Sequence, residues 1–264
     1  MPYANTEAMQ HGPDDEYVHQ ARVALRRMRS ALRLLDRKHK DFPEALADGL
    51  RWVGTALGAA RDADVLAHRT LPALVAAVPT PQRAALSTLV SRADLRRDAT
   101  HATVVATLRR PRYAQLTLRL QAWTLSAPPA GRTLLQLAGK LLDKAHRRLF
   151  NEARFFAALP PERRHEVRIL AKRLRYALDV FSVALPAKST ESYIDALSQL
   201  QDALGEMNDI AVAGEALPSL ADEATLLETA KDWLDERKAE LARNAEERLL
   251  ALSELQVPWR DTDR

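Results

Sequence analysis

Hydrophobic positions recur about every 3.6 residues along most of the chain, and charged residues fill the positions between them. This spacing is typical of amphipathic α-helices, which pack one face into a core and expose the other. Prolines lie between the periodic runs, where one helix ends or the next begins. The pattern predicts helices at residues 15–40, 43–70, 81–108, 112–126, 131–157, 161–185, 189–216 and 222–255. We therefore expect an all-α protein, in which the last run forms either one long helix or two.

Two of the predicted helices begin with similar basic sequences. In the first, His19 is followed by basic residues at the third, seventh, eighth and tenth positions, which are Arg22, Arg26, Arg27 and Arg29. In the second, His165 is followed at the same positions by Arg168, Lys172, Arg173 and Arg175. The two copies are 146 residues apart, which is more than half the length of the chain.

A second pair of segments keeps the same order and spacing. The sequence from Leu57 to Val65 resembles that from Leu204 to Ile210, at an offset of 147 residues. We interpret the two pairs as an internal repeat, which predicts two antiparallel helical bundles related by a pseudo-twofold axis. The predicted limits are residues 14–157 for the first bundle and 158–264 for the second, after a flexible N-terminus at residues 1–13.

On a helix, the repeated basic residues lie along one side, next to an apolar face. The first basic stripe consists of His19, Arg22, Arg26, Arg29, Arg33 and Arg37, and the second consists of His165, Arg168, Lys172 and Arg175. Arg27 and Arg173 lie off these stripes. The expected apolar faces are Val18, Ala21, Leu25, Met28, Leu32 and Leu35 in the first copy, and Val167, Leu170, Ala171, Leu174, Leu178 and Phe181 in the second. A third basic stripe consists of Lys140, Lys144, Arg147 and Arg148.

Charge is distributed unevenly along the chain, although the formal net charge is only +4. Residues 1–190 hold 32 Lys and Arg against 17 Asp and Glu, whereas residues 191–264 hold 7 against 18. Residues 17–40 hold 8 basic residues and a single acid, Asp36. Like charges one turn apart destabilise a helix by about 0.2–0.5 kcal/mol per pair. Because both copies carry this cost, we interpret the stripes as a polyanion site rather than as an ordinary solvated surface.

Smaller residues and acids in the repeat fit the same interpretation. Gly54, Gly58 and Arg61 share one face of the second predicted helix, where glycine lets another helix or a ligand approach closely. Asp62 and Asp209 occupy matching positions, and we expect them to brace neighbouring arginines rather than to act as an acid and a base. The chain contains no Walker-type phosphate loop, no nucleophile elbow and no H-E-x-x-H zinc motif. We therefore expect no enzyme activity, no metal and no cofactor.

The absence of cysteine excludes disulfides and thiolate metal sites and is compatible with the cytoplasm, where we expect the protein to reside. The N-terminal residues lack the basic and apolar regions of a signal peptide. No apolar stretch is long enough to span a bilayer, and we expect no membrane partner.

The repeated motifs resemble the CHAD family, a histidine-containing α-helical domain associated with inorganic polyphosphate. The resemblance rests on the two basic motifs that begin at His19 and His165, and on the paired segments that begin at Leu57 and Leu204. Further support comes from Arg112-Tyr113 with the apolar residues that follow, and from the terminal Pro258-Trp259-Arg260. The similarity extends from about residue 14 to the C-terminus.

The resemblance implies two helical bundles with a basic cavity between them, in which long-chain polyphosphate binds. By this resemblance the site is lined by His19, Arg22, Arg26, Arg27, Arg29, His165, Arg168, Lys172, Arg173 and Arg175. The stripes and the glycine face add Arg33, Arg61, Lys140, Lys144 and Arg147 as candidate polyphosphate-binding residues. Some family members localise to polyphosphate granules, so this location is open for the present chain. The chain lacks the E-x-E-x-K motif of the triphosphate-tunnel domain that many members carry, and triphosphatase activity is not expected.

The residues alone leave other classes of function open. A general polyanion-binding or RNA- or DNA-binding protein would also need the charge, but aromatic residues are 5% of the chain and none alternates with the stripes to stack on bases. A polyphosphate-processing enzyme would need carboxylates to hold Mg²⁺, and the basic stripes contain none. A scaffold that docks an acidic protein on its basic face is a further alternative. The sequence indicates neither the oligomeric state nor the role of the acidic C-terminal portion.

Overall fold

Helices account for nearly all of the chain that the structure describes, as the hydrophobic periodicity predicts. The structure is a computed structural model, and it describes residues 15–39, 42–126, 134–221 and 224–260. In these ranges the α-helices are α1 Asp15–His39, α2 Glu44–Val65, α3 Leu71–Ala77, α4 Thr80–Leu108, α5 Pro111–Ser126, α6 Leu134–Glu152, α7 Pro161–Phe181, α8 Ala187–Ala216 and α9 Ala224–Glu254. No strand occurs among the described residues, and the all-α prediction is confirmed. The N-terminal segment 1–13, predicted to be flexible, lies outside them.

Prolines begin several of these helices. Pro72, Pro81 and Pro161 each lie in the first turn of a helix, and α5 begins at Pro111. The first turn has no intrahelical acceptor for its amide hydrogens, so the missing N–H of proline costs nothing there. The same residues therefore act as the boundaries that the sequence pattern suggested.

The helix predicted at 43–70 ends differently from the prediction. After Val65 the chain makes one π-helical turn at Leu66–Thr70 and then continues as α3 through Pro72. Proline in a continuing helix crowds the carbonyl four residues earlier and has no N–H to donate. The wider π turn immediately before Pro72 accommodates both effects, so the chain stays helical to Ala77.

Two other predicted boundaries are corrected or settled by the structure. The helix predicted at 131–157 ends at Glu152, because Phe155 has a φ of 55°, in the left-handed region that terminates an α-helix. The last run forms a single helix of 31 residues, α9, with no break.

The described chain divides into two compact units. The first contains residues up to 126 together with 212–221 and 224–233, and the second contains residues 134–211 and 234–260. In the first unit α2 packs against α1, α4 and α5, because apolar residues on each of these helices face a common core. This core is formed by Val18, Ala21, Leu25, Leu46, Leu50, Val53, Leu57, Ala60, Val104, Leu108 and Leu116.

In the second unit α6 packs against α7, and the terminal turn at Pro258–Arg260 packs against α6. Trp259 is buried, and its indole Nε1 donates to Asp143 Oδ1 at 3.0 Å. The rings of His146 and Tyr193 lie 5.7 and 5.4 Å from that of Trp259. Burial is the largest cause that lowers the pKa of His146, which favours its neutral form in this aromatic cluster.

Candidate anion-binding site

The first basic stripe lies on α1, whose apolar face anchors it to the first unit. Val18, Ala21 and Leu25 are buried, and Met28 and Leu32 pack against the same core as partly buried side chains. The helix therefore turns towards the core the same apolar face that the sequence predicts. The described stripe residues His19, Arg22, Arg26 and Arg29 are partly buried, and Arg27 is exposed. The side chains of Arg33, Arg37 and Leu35 lie outside the described part of the structure.

Arg22 lies across the backbone of α2 at Gly58. A Cβ atom at Gly58 would lie 2.7 Å from Arg22 Nη1, closer than real Cβ contacts allow. The absence of a side chain is therefore what lets the guanidinium occupy this position. Arg22 Nη2 also lies 3.7 Å from Asp62 Oδ1, one turn further along α2. Asp62 thus braces Arg22, as expected from the sequence. The side chain of Arg22 is 24% exposed.

Arg29 has a similar position one turn earlier on α2. A Cβ atom at Gly54 would lie 3.3 Å from Arg29 Nη1 and 3.3 Å from Leu25 Cδ2. Two glycines spaced four residues apart thus form a groove along α2, and two arginines of α1 lie over it. The sequence-based expectation that these glycines permit a close approach is correct, and the approaching groups are the guanidinium groups of the stripe itself.

His19 lies at the start of the stripe, within the electrostatic influence of three arginines. Burial is the largest cause that lowers its pKa, and the positive charges of Arg61, Arg26 and Arg22 lower it further, against an opposing effect of Glu16. Without a ligand, His19 therefore favours its neutral form near pH 7. The effect also places Arg61, on α2, in the same electrostatic cluster as the α1 stripe.

The second stripe lies on α7, which has the same phase but different surroundings. Its predicted apolar face is fully buried, at Val167, Leu170, Ala171, Leu174, Leu178 and Phe181. Arg168, Lys172 and Arg175 are partly buried, whereas His165 and Arg173 are exposed. The counterpart of Gly58 in this half, Gly205, has no atom within 4 Å of where its Cβ would be.

The guanidinium group of Arg175 is engaged by two neighbouring side chains. It forms an ion pair with Asp179, one turn along α7, and its Nε donates to Ser198 Oγ at 3.0 Å. Sequence reasoning missed this pairing, although the Arg–Asp spacing of four residues that favours it was present.

The third stripe lies on α6, where Lys140, Lys144, Arg147 and Arg148 are all exposed. Arg148 is paired with Glu166 of α7 at 3.6 Å. Asp143, between the stripe residues, accepts a hydrogen bond from Arg260 Nε at 2.9 Å. Burial raises the pKa of Asp143, but the hydrogen bonds from Arg260 and Trp259 outweigh this and lower it.

A partly buried ion-pair network that the sequence did not suggest fixes the start of α1. The carboxylate of Asp15 lies 2.5 Å from Arg97 Nη2 and 2.6 Å from His68 Nδ1. Asp64, whose side chain is fully buried, lies 3.1 Å from Arg97 Nε and 2.6 Å from His101 Nε2. The network thus joins α1, α2, the π turn and α4, and Asp15 lies one helical turn before the first stripe residue.

Three groups of this network, Asp15, Asp64 and His101, each place one potential metal-ligand atom within 4.8 Å of the others. Arg97 lies beside both carboxylates, however, and its guanidinium already supplies positive charge at this position. The geometry therefore fits a structural ion-pair network better than a metal centre. No other such group occurs in the part of the chain that was described.

Together these features define an all-α protein with cationic helix faces that can bind anions through guanidinium and ammonium groups. The sequence profile of the CHAD domain matches residues 3–218. The chain belongs to the CHAD domain family.

Solved structures agree with this assignment. The crystal structure of the CHAD domain from the plant Ricinus communis is 34% identical, covers 97% of this chain and 88% of its own, and superimposes with a TM-score of 0.86. PptA from Streptomyces chartreusis shares the fold, with a TM-score of 0.71 at 20% identity, over 95% of this chain and 96% of its own. No curated protein matches the chain. None of the helices in the described ranges has the length and apolar character needed to cross a membrane.

Proposed function

We propose that this protein binds inorganic polyphosphate without catalysis, through the basic faces of α1 and α7 and the neighbouring cations of α2 and α6. The binding residues are those that the sequence and the family resemblance suggested, from His19 to Arg29 on α1 and from His165 to Arg175 on α7. A cytoplasmic protein that associates with polyphosphate granules is part of the same proposal.

The observation that carries this proposal is the arrangement at Gly54 and Gly58. A surface that served only for solubility would not need two guanidinium groups placed over glycines, with that of Arg22 braced by Asp62. Arg22 and Arg29 project from one helix, two turns apart, and both are partly exposed, which suits a chain of repeated phosphates. Guanidinium groups bind phosphate oxygens through paired hydrogen bonds.

Membership of the CHAD family supports the same ligand, because the family is associated with polyphosphate. The shortage of aromatic residues near the stripes favours polyphosphate over single-stranded nucleic acid, whose bases stack on aromatic rings. The described side chains of the stripes carry guanidinium and ammonium groups and no pair of carboxylates that could hold Mg²⁺. This favours the binding of polyphosphate over its hydrolysis.

The test is the binding of labelled long-chain polyphosphate, competed with RNA and with orthophosphate at physiological salt. The decisive variant is Arg22→Ala/Arg26→Ala/Arg168→Ala/Lys172→Ala. Since a hydrogen bond to a charged group contributes about 1.5 kcal/mol or more, we expect this variant to lose at least about 100-fold in affinity. The matched control removes the same charge from exposed positions, as Arg119→Ala/Arg154→Ala/Lys231→Ala/Arg243→Ala.

The possible outcomes separate the alternatives. Binding that resists RNA and is lost only in the stripe variant supports the proposal. Equal displacement by RNA would point to a general polyanion binder, and equal loss in the control would point to nonspecific charge. Shortening of the polyphosphate chain on incubation with the protein and Mg²⁺ would overturn the non-catalytic part of the proposal.

A further inference from the structure

The two repeats carry different residues at the positions that surround their stripe cations. At the offset of 147, Gly54 corresponds to Gln201 and Arg61 to Asn208. At the offset of 146, Arg33 corresponds to Asp179. Each replacement in the second repeat removes a positive charge, adds a negative one, or puts a side chain where the first repeat has none.

The structure shows what the Gln201 side chain does in place of Gly54. Gln201 Nε2 donates to the carbonyl oxygen of Ala171 at 3.0 Å. Ala171 corresponds to Leu25, which is the residue that lies against Gly54 in the first repeat. The space over which Arg29 lies in the first repeat is thus taken by a glutamine side chain in the second.

The equivalent arginines consequently have different surroundings. Arg29 lies on the glycine groove, whereas its counterpart Arg175 is ion-paired with Asp179 and hydrogen-bonded to Ser198. A phosphate that binds Arg175 must compete with a carboxylate one turn away. At Arg29 the corresponding position of the chain is an arginine, Arg33.

The second glycine of the groove is kept in both repeats but acts in only one. A Cβ at Gly58 would lie 2.7 Å from Arg22 Nη1, whereas a Cβ at Gly205 would meet no atom within 4 Å. Neither glycine has a positive φ, so alanine is compatible with the backbone at both positions. The two sites therefore form a matched pair, in which one substitution displaces a guanidinium and the other does not.

We propose that the two repeats bind polyphosphate unequally, and that the first repeat holds the high-affinity subsite, with Gly54 and Gly58 as its positioning residues. The second repeat then acts as a weaker extension, because Asn208 and Asp179 stand where the first repeat has Arg61 and Arg33, and Asp179 is ion-paired with Arg175. This inference rests on the proposed polyphosphate binding.

The experiment compares Gly58→Ala with Gly205→Ala for stability and for affinity toward labelled long-chain polyphosphate. Alanine is a better helix former than glycine, and the atom displaced at Gly58 is the end of a flexible side chain, so both variants should melt at or above the wild-type temperature. We expect Gly58→Ala to lose about tenfold in affinity, as one misplaced charged contact would cause, and Gly205→Ala to stay within about twofold of the wild type. For Gly58→Ala, the slope of log affinity against log salt concentration should also be less steep than for the wild type, by up to about 0.7.

A second pair of variants tests the weaker repeat. Asp179→Asn should release Arg175 and raise the affinity, whereas Asp195→Asn, which removes an equal charge from an exposed position on α8, should leave it nearly unchanged. Equal affinities for Gly58→Ala and Gly205→Ala in a protein whose wild type binds polyphosphate would overturn the inequality and leave the proposed function intact. A wild type that does not bind polyphosphate would overturn both.

Discussion

Arg22 and Arg175 show how a neighbouring side chain decides what a guanidinium group can bind. Both lie on the basic side of a repeated helix, but Arg22 rests over Gly58 and reaches Asp62 only at 3.7 Å, whereas Arg175 is in direct contact with Asp179. A partly exposed ion pair contributes little to stability, yet it competes directly with an incoming phosphate. Equal charges in the sequence therefore do not amount to equal binding sites.

His19 provides a pH dependence that can be measured. Burial and the charges of Arg61, Arg26 and Arg22 lower its pKa in the unliganded protein, so it binds few protons at pH 7. Bound polyphosphate would bring negative charge to the same position and raise that pKa, so binding takes up protons. Since a ligand that binds with protons is favoured in acid, we expect affinity to rise as the pH falls from 7 toward and below 6.5.

Calorimetry in two buffers with different ionisation enthalpies measures this proton uptake directly. His19→Gln should bind polyphosphate with a clearly reduced uptake of protons at pH 7. An uptake equal to that of the wild type would contradict the prediction and assign the protons to another group.

The helix α1 is held in register by the contacts of its first residue. Asp15 joins it to Arg97 of α4 and to His68 of the π turn. Burial raises the pKa of Asp15, but hydrogen bonds from Arg97 and His68 outweigh burial and lower the pKa to about 2. We expect Asp15→Asn to lower the free energy of unfolding by about 1.5–3 kcal/mol, as for other hydrogen bonds to charged groups, in urea unfolding at neutral pH.

The pH dependence of the free energy of unfolding provides a control for this prediction. A depressed carboxyl pKa adds stability above the ordinary value of 3.8, and that stability is lost as the pH falls from 3.8 to about 2. The difference between Asp15→Asn and the wild type should therefore shrink over this interval. Asp98→Asn, at an exposed partner of the same Arg97, should cost at most about 1 kcal/mol. An equal cost for both variants would show that Asp15 has no special role.

Local patterns in the sequence predicted most of the helices, because burial of one face enforces the 3.6-residue period. They also predicted the phase of both basic stripes, since Val18 and Val167 fix which side of each helix faces the core. The boundaries that failed depend on other interactions. Phe155 is a residue that rarely adopts a left-handed conformation, and a π turn before Pro72 has no reliable local signature.

The parts of the site that the sequence did not predict involve residues far apart in the chain. Asp15 and Arg97 are separated by 82 positions, and Asp64 and His101 by 37, so no helical spacing connects them. The groove at Gly54 and Gly58 was suggested by the glycines, but only the structure shows that Arg29 and Arg22 occupy it. The boundaries of the two repeats remain predictions.

The whole chain combines a strongly basic portion with an acidic one, and the salt dependence of binding reports how much of the basic portion a ligand uses. Each cation that neutralises a phosphate contributes about −0.7 to the slope of log affinity against log salt, by analogy with single-stranded nucleic acid. Four of the described arginines of the first repeat, Arg22, Arg26, Arg29 and Arg61, correspond to a slope of about −3. Adding the second repeat and α6 brings about ten cations into use and a slope of about −7.

We therefore expect tripolyphosphate to give a slope no steeper than about −3, because a chain of three phosphates can neutralise only a few cations, and long-chain polyphosphate to give a steeper one. Fluorescence anisotropy across a series of salt concentrations measures both slopes. Arg243→Ala, which removes one exposed charge from α9, serves as the control and should leave both slopes unchanged. The same slope for short and long chains would mean that polyphosphate occupies a single cluster of cations, in which case the second basic helix contributes no contacts to binding.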